Sequence, residues 1–305
     1  MARYIVHRLL QIPIPLVAVS LIVFVVLRLT GDPVDLYLPI EATAEQRAQI
    51  RESLGLNDPV HLQYLRYLND AFHGDFGNSL RFRRPALSLM LERFPATLQL
   101  AAAGILLSVL LGVGLGILSA VRKGSSLDYF LMAAAIFGQS LPGFWLGIIL
   151  IMIFAVSLHV LPTSGMGDWR HLLMPAVTVA SYQFPQVMLL VRSSMLETMN
   201  EDFVRVARAK GLHETGVIAR HVLPNVLSPV VTSVGLQFGR LMGGAVITET
   251  VFSWPGVGQF AVQAVFNRDY PVVQAAILMM ALLIILSNLV ADLTNAVLDP
   301  RIRRG

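Results

Sequence analysis

The sequence contains no cysteine. That removes disulfides, thiolate zinc sites, iron–sulfur clusters and cysteine nucleophiles together. Lysine is nearly as scarce: Lys123 and Lys210 are the only two in 305 residues. A Walker A loop requires Gly-Lys-Ser/Thr, but Lys123 follows Arg122 and Lys210 follows Ala209. The chain by itself is therefore no P-loop ATPase. Charge is also thin, at 14% of residues, against about 25% in an ordinary soluble domain. With 55% hydrophobic residues, the composition excludes disorder and points to a polytopic membrane protein. Seven histidines show no His-x-x-x-His spacing, and no Gly-x-Ser-x-Gly elbow occurs. The sequence thus offers no catalytic set and no metal site. Gly112, Gly114 and Gly116 imitate a dinucleotide fingerprint, but they lie in an apolar run with no strand before them. Close helix packing is the better reading.

What is present is long apolar runs. A helix crossing the hydrocarbon core needs about 20 mostly apolar residues. Six stretches meet this: roughly 9–29, 97–121, 129–158, 172–196, 226–247 and 272–297. The third is interrupted at Leu141-Pro142-Gly143 and should kink there. The first is too long for a signal core and is read as a retained anchor. Arg3 and Arg8, Arg122 and Lys123, Arg205, Arg208, Lys210 and Arg220, and Arg301, Arg303 and Arg304 all fall on one side of a six-span chain. The positive-inside rule makes that side cytoplasmic and puts both termini there. The fold expected is all-α, with six transmembrane helices. A +4 net charge then reflects orientation in the bilayer and needs no nucleic acid.

The linear organisation has three parts. Residues 1–30 give the cytoplasmic N-terminus and first span. Residues 31–95 give an extracytoplasmic helical insert, with nine acids and seven arginines for a net of −2. Residues 96–305 give a five-span core with a cytoplasmic loop at 201–224. In the insert, Thr43 should cap a helix from Ala44, Gly55 should stop it, and a second helix should run from His61 to Phe72.

Glu201–Pro224 is the most informative stretch. Asp202–Lys210 reads as a helix, with Asp202 at its positive end and Lys210 at its negative end. Phe203, Val206, Ala207 and Lys210 share one side, and Gly211 is a natural left-handed stop. A second short helix, Glu214–Val222, should end before Pro224. The loop is then a helix–turn–helix with an apolar stripe. It fits either a lipid-surface loop or a helix docked into a partner's groove.

The stretch resembles the coupling loop of bacterial ABC-transporter permeases. That pattern is Glu-Ala-Ala, three residues, Gly, nine residues, Ile-x-Leu-Pro. Here Gly211 takes the glycine, His221-Val222-Leu223-Pro224 ends the motif, and Arg205, Val206 and Ala207 replace Glu-Ala-Ala. The form Asp202-Phe203-Val204-Arg205-Val206-Ala207-Arg208-Ala209-Lys210-Gly211 is similar to the dipeptide/oligopeptide/nickel importer branch. Further likeness runs along the chain: Gly31-Asp32-Pro33, Leu54-Gly55-Leu56, Gly74-Asp75-Phe76-Gly77, Pro95-Ala96-Thr97-Leu98, Phe252-Ser253-Trp254-Pro255-Gly256-Val257-Gly258 and Asp299-Pro300-Arg301.

The resemblance implies the ABC importer permease fold in a bacterial inner membrane, embedded in lipid. It implies a second, similar permease (a heterodimer by the branch's habit), two cytoplasmic ATPase subunits holding ATP and Mg, and an extracytoplasmic binding protein. The cargo implied is a dipeptide or oligopeptide; glutathione, a nickel chelate or an opine is the alternative, and an ATP-independent channel or carrier the different class. Coupling to the ATPase falls on Asp202, Phe203, Arg205, Val206, Ala207, Arg208, Lys210, Gly211, His213 and Glu214. On that reading Ala207→Asp, by charging the docking stripe, and Gly211→Val uncouple ATP hydrolysis from uptake with insertion intact.

Polar residues inside the spans are candidates for a substrate pathway. Gln139, Gln183, Gln237 and Arg240 are the choices. The glutamines serve equally as contacts between helices, and the competing reading of Arg240 is an arginine reaching the outer headgroups or paired at the permease interface. Arg28 and Arg192, near span ends, are read as snorkelling. Phe252 and Trp254 are read as aromatic-belt anchors or part of an outer gate.

Overall fold

The computed structural model describes residues 10–29, 34, 42–53 and 55–298, with the side chains of 53, 236, 240, 242–244 and 291–298 outside that description. Arg3, Arg8, Gly31–Pro33, the Arg240 side chain and the tail from Asp299 therefore lie outside the described residues. The described elements are helices: α1 Pro13–Leu29, α2 Ala44–Ser53, α3 Val60–Phe72, α4 Ala86–Val121, α5 Ser126–Ser140 and α6 Gly143–Leu150, which widens into a π-helical stretch, Ile151–Ser157. Then come α7 Trp169–Thr198, α8 Asp202–Ala209, α9 Glu214–Val217 with π-helical Ile218–Val222, α10 Leu223–Val251, α11 Val257–Phe266 and α12 Tyr270–Leu298.

Four described helices are long and apolar enough to cross a membrane: Ala86–Val121, Trp169–Thr198, Glu214–Gly239 and Tyr270–Val290. The helices Ser126–Ser140 and Gly143–Ser157 pass the same test only as a pair, bent by 101° at the break. The break sits where the sequence places it. Pro142 disfavours helical backbone at the residue before it, and Leu141 is extended with ψ 129°. α1 has 17 residues, mostly apolar, at the short end of the spanning range.

Other boundaries differ from the sequence reading. α4 starts at Ala86 and carries Pro95 inside it without breaking. An interior proline costs about 3 kcal/mol. Here the first turns are pinned by packing: Ala86, Leu89 and Met90 are buried against Val257, Phe260, Val272 and Ala276. Nor does the helix of the cytoplasmic loop end before Pro224. The π-helical turns at Ile218–Val222 lead straight into α10, whose first turn holds Pro224. The turn before it is π-helical, with the Leu223 amide bonded five residues back to Ile218, and this widened turn accommodates a residue that has no N–H.

The chain divides into two compact units. The first is Leu98–Trp254 together with the last helix from Leu286. The second is the chain up to Thr97 together with Pro255–Ile285. In the first, α4 and α7 pack through small residues. A Cβ added at Gly112 would meet the Val187 side chain at 2.7 Å, and one at Gly116 the Met188 carbonyl at 2.8 Å. Gly104 meets Val179 at 2.4 Å in the same way, whereas Gly114 faces nothing within 4 Å. So the spacing of four in this glycine run is helix packing, with Gly114 on the open side.

In the second unit, Thr43 and Gln46 cap α2 reciprocally: the Gln46 amide donates to Thr43 Oγ1 at 3.3 Å, and the Thr43 amide to Gln46 Oε1 at 3.0 Å. Gly55 ends that region with φ +62°. α1 and α3 join through Phe24, whose ring centroid lies 5.2 Å from Tyr64 and 5.7 Å from Tyr67. Arg28 stacks over Phe24 at 4.2 Å and donates to Gln63. It is thus built into the α1–α3 contact, where the sequence suggests a snorkelling arginine. Phe24, Arg28, Gln63 and Tyr67 border an open cleft of about 280 Å3 with Arg66, Asp70 and Asp75. Burial pushes the Tyr67 phenol well above its usual range, and its oxygen has no hydrogen-bond partner among the described residues. The cleft's two cations are already engaged, Arg28 by Gln63 and Arg66 by Asp58 at 2.7 Å.

Candidate coupling site

The loop between α7 and α10 folds back on the ends of its own spans. α8 is strongly amphipathic, and its two faces have different fates. Val204 and Ala207 are buried, Ala207 at 5% exposure, in a cluster with Ala120, Val187, Val191, Met195, Val217, Val222 and Val226. Phe203 at 44% and Val206 at 53% face outward. Leu212, just past the Gly211 turn, is also exposed. Asp202, Arg205, Lys210 and His213 complete the exposed surface. The outward face is therefore a small apolar patch rimmed mainly by cations.

Ala207 thus does not belong to that patch, as the sequence spacing suggests. An eight-residue helix lying on a surface has two apolar edges, and Val204 with Ala207 makes the inner one. Arg208 and Glu214 are exposed but engaged with each other. The Arg208 guanidinium grips the Glu214 carboxylate bidentately, at 3.0 Å and 2.7 Å, and also donates to the Met199 carbonyl at 3.4 Å. This bond holds the Arg208 guanidinium more firmly protonated than usual. The pair closes the elbow from the side. Gly211 turns the chain at φ +77°, with no neighbour within 4 Å of a Cβ placed there. The glycine is needed for its backbone angle and not for space. His213 pairs with Thr215 Oγ1 at 2.9 Å. Leu212 escapes the sequence reading because it lies outside the helical spacing; an apolar residue directly after a turn glycine is the available signal.

The pathway candidates differ in burial. Gln139 is exposed, one residue from the end of α5 and beside the bend. Gln183 is buried on α7. Gln237 is 6% exposed on α10; its amide nitrogen donates to Ser233 Oγ at 3.0 Å, and its amide oxygen has no partner among the described residues.

Three further residues move from their expected places. Phe252 and Trp254 are both buried core side chains and not interfacial anchors. Phe252 packs with Ala155 and Met174, and the Gly165 amide donates to its carbonyl at 2.8 Å. Arg192 does not snorkel, because it reaches a buried carboxylate, Asp128. Sequence spacing has no signal for a pair 64 residues apart.

Residues 112–304 match the family described as binding-protein-dependent transport system inner membrane component, and residues 1–101 match its N-terminal region. The chain belongs to that family. It is a multi-pass inner-membrane permease component of an ABC importer, and in this family ATP hydrolysis is performed by partner ATPases. Its relatives include the glutathione transport system permease protein GsiC of Salmonella typhimurium strain LT2 and that of Escherichia coli strain K12. Each is 41% identical over 304 residues, covering 99% of both chains. Among solved structures, the inward-facing MetNI methionine ABC transporter matches with a TM-score of 0.59 and 19% identity, over 69% of this chain and 96% of that one. An amino acid ABC transporter with histidines matches at 0.50 and 17%, over 68% and 94%. At such identities these structures establish the permease fold alone.

Proposed function

We propose that this chain is the permease of an ATP-driven, binding-protein-dependent importer for glutathione or short peptides of like chemistry. The observation that carries the substrate class is the full-length similarity to permeases named for glutathione transport. It favours glutathione over the dipeptides and oligopeptides that come first from the branch resemblance alone. The exposed patch of Phe203, Val206 and Leu212, rimmed by Arg205 and Lys210, docks in a groove of an ATPase subunit by its apolar face. A second, different permease completes the pathway. The spans number six and both termini are cytoplasmic, with α1 as the first span. Gln139, Gln183, Gln237 and Arg240 remain the candidate pathway contacts.

The test is reconstitution in proteoliposomes with its second permease, its ATPases and its binding protein. ATP-dependent accumulation of labelled glutathione is expected. Accumulation of a dipeptide with glutathione excluded would overturn the substrate class. Accumulation in vesicles lacking any ATPase would overturn the power source. Reporter fusions at each terminus test the orientation, and an external reporter signal at either end would refute it.

A further inference from the structure

Asp128 is 1% exposed, and its carboxylate collects donors from three segments of the first unit. From α7, Arg192 donates through Nε to Oδ1 at 2.8 Å and through Nη2 to Oδ2 at 2.8 Å. From the end of α4, the Ser119 hydroxyl donates to Oδ1. From the α4–α5 turn, the Gly124 amide donates to Oδ2 at 3.0 Å. Asp128 itself sits in the first turn of α5, with its amide capped by Ser125 Oγ at 3.2 Å. One buried carboxylate thus ties the end of one span, the start of the next and the body of a third. A lone carboxylate could not stay charged in that place; a bidentate guanidinium with two further donors keeps it so.

The position of this knot matters more than its strength. Ala120 follows Ser119, and Val191 precedes Arg192. Both are in the same buried cluster that seats Val204 and Ala207 under the elbow. One turn earlier, Gly116 lets α4 close against Met188 and Val191. The elbow, the α4–α5 turn and α7 therefore share one packed base. Apolar packing alone lets helices slide by small shears. A fork-to-fork ion pair fixes direction as well as distance.

We propose that Asp128 and Arg192, assisted by Ser119, are positioning residues for energy coupling. They make the α4–α5 turn move with α7 as one body when the elbow is displaced, so the ATPase stroke reaches three spans instead of one. The inference rests on the reading of the elbow as the ATPase dock.

The experiment uses the whole transporter in proteoliposomes with its loaded binding protein. Three quantities are measured: ATPase co-purification, stimulated ATP hydrolysis, and substrate imported per ATP. For Asp128→Asn, the ATPases are expected to stay bound and hydrolysis to continue, while import per ATP falls by about 10-fold. Arg192→Lys keeps the charge but loses the fork, and about a 3-fold fall is expected. Should Asp128→Asn fail to accumulate, Arg192→Lys and Ser119→Ala decide. Unchanged import per ATP in the accumulating variants overturns the proposal. So does loss of bound ATPase in the clamp variants, which would make the knot part of the dock. Phe203→Asp with Val206→Asp separates the two readings: if the ATPases remain bound to that variant, the docking assignment fails by itself.

Discussion

Two buried carboxylates, one in each compact unit, hold the chain in different ways. Asp128 in the first unit is met by a full cation and joins three segments through Arg192, Ser119 and Gly124. Asp269 in the second unit is 3% exposed and is met by neutral donors: the Ser79 hydroxyl at 2.5 Å and the amides of Leu80 at 3.2 Å and Arg81 at 3.5 Å. It shapes one tight turn, the 78–85 knuckle closed by the Asn78–Pro85 bridge. The difference is one of task. A paired charge resists shear between helices in every direction, whereas a nest of amides around an anion orders a loop and leaves its outer side chains free. Arg81, Phe82 and Arg83 are exposed on the knuckle, with the Phe82 ring 5.7 Å from that of Phe260 and Arg81 over the Phe82 face.

The contrast can be tested from the most damaging change downward. Ala207→Asp places an unpaired carboxylate in the cluster that supports both the elbow and the Asp128 knot. A buried, unpaired charge costs several kcal/mol, so loss of the folded protein from membranes is expected by immunoblot, not uncoupling with intact insertion. Asp128→Ala leaves the Arg192 guanidinium without its counter-ion. A loss of about 3–5 kcal/mol is expected, read as a lowered Tm of the detergent-solubilised complex. Asp269→Ala abandons only neutral donors, for which about 1–3 kcal/mol is the expected loss; a Tm drop equal to that of Asp128→Ala would erase the contrast. Gly211→Val forces a β-branched residue to φ +77° in open space. Strain of about 1–2 kcal/mol is expected in Tm, along with weakened ATPase binding in pull-down. Phe203→Ser with Val206→Ser changes exposed side chains only. Stability should shift by less than about 0.5 kcal/mol, while ATPase co-purification drops sharply; retained ATPase would show that the outward face is not the dock.

Much of the elbow is legible in the sequence. The helix Asp202–Ala209, the left-handed Gly211 and the exposed Phe203 and Val206 follow from propensity and spacing. The inner edge does not. Ala207 and Phe203 lie four residues apart on nearly the same side, and only the surrounding span ends show that one is covered and the other is not. The Arg208–Glu214 brace also needs the turn to be folded before its ends meet. In the spans, the break at Pro142 is local chemistry and is read correctly. The survival of Pro95 and Pro224 inside helices is not, because tertiary packing outweighs the local rule at the first, and a π-helical turn accommodates the missing N–H at the second. Phe252 and Trp254 mislead for a related reason. Aromatic residues at a span end suit the headgroup region, but here the chain folds over them and makes them core.

The sequence by itself determines that this is an all-helical membrane chain without an ATP site, with an amphipathic elbow on its arginine-rich side. Those properties depend on composition and on spacings of three, four and about twenty residues, which act within one helix. Only the tertiary structure decides which elbow face stays open, that Arg192 is a fork on a buried carboxylate and not a surface anchor, and that one carboxylate binds three segments. Those facts depend on residues far apart in the chain, whose partners are fixed by packing and by the need to satisfy every buried charge.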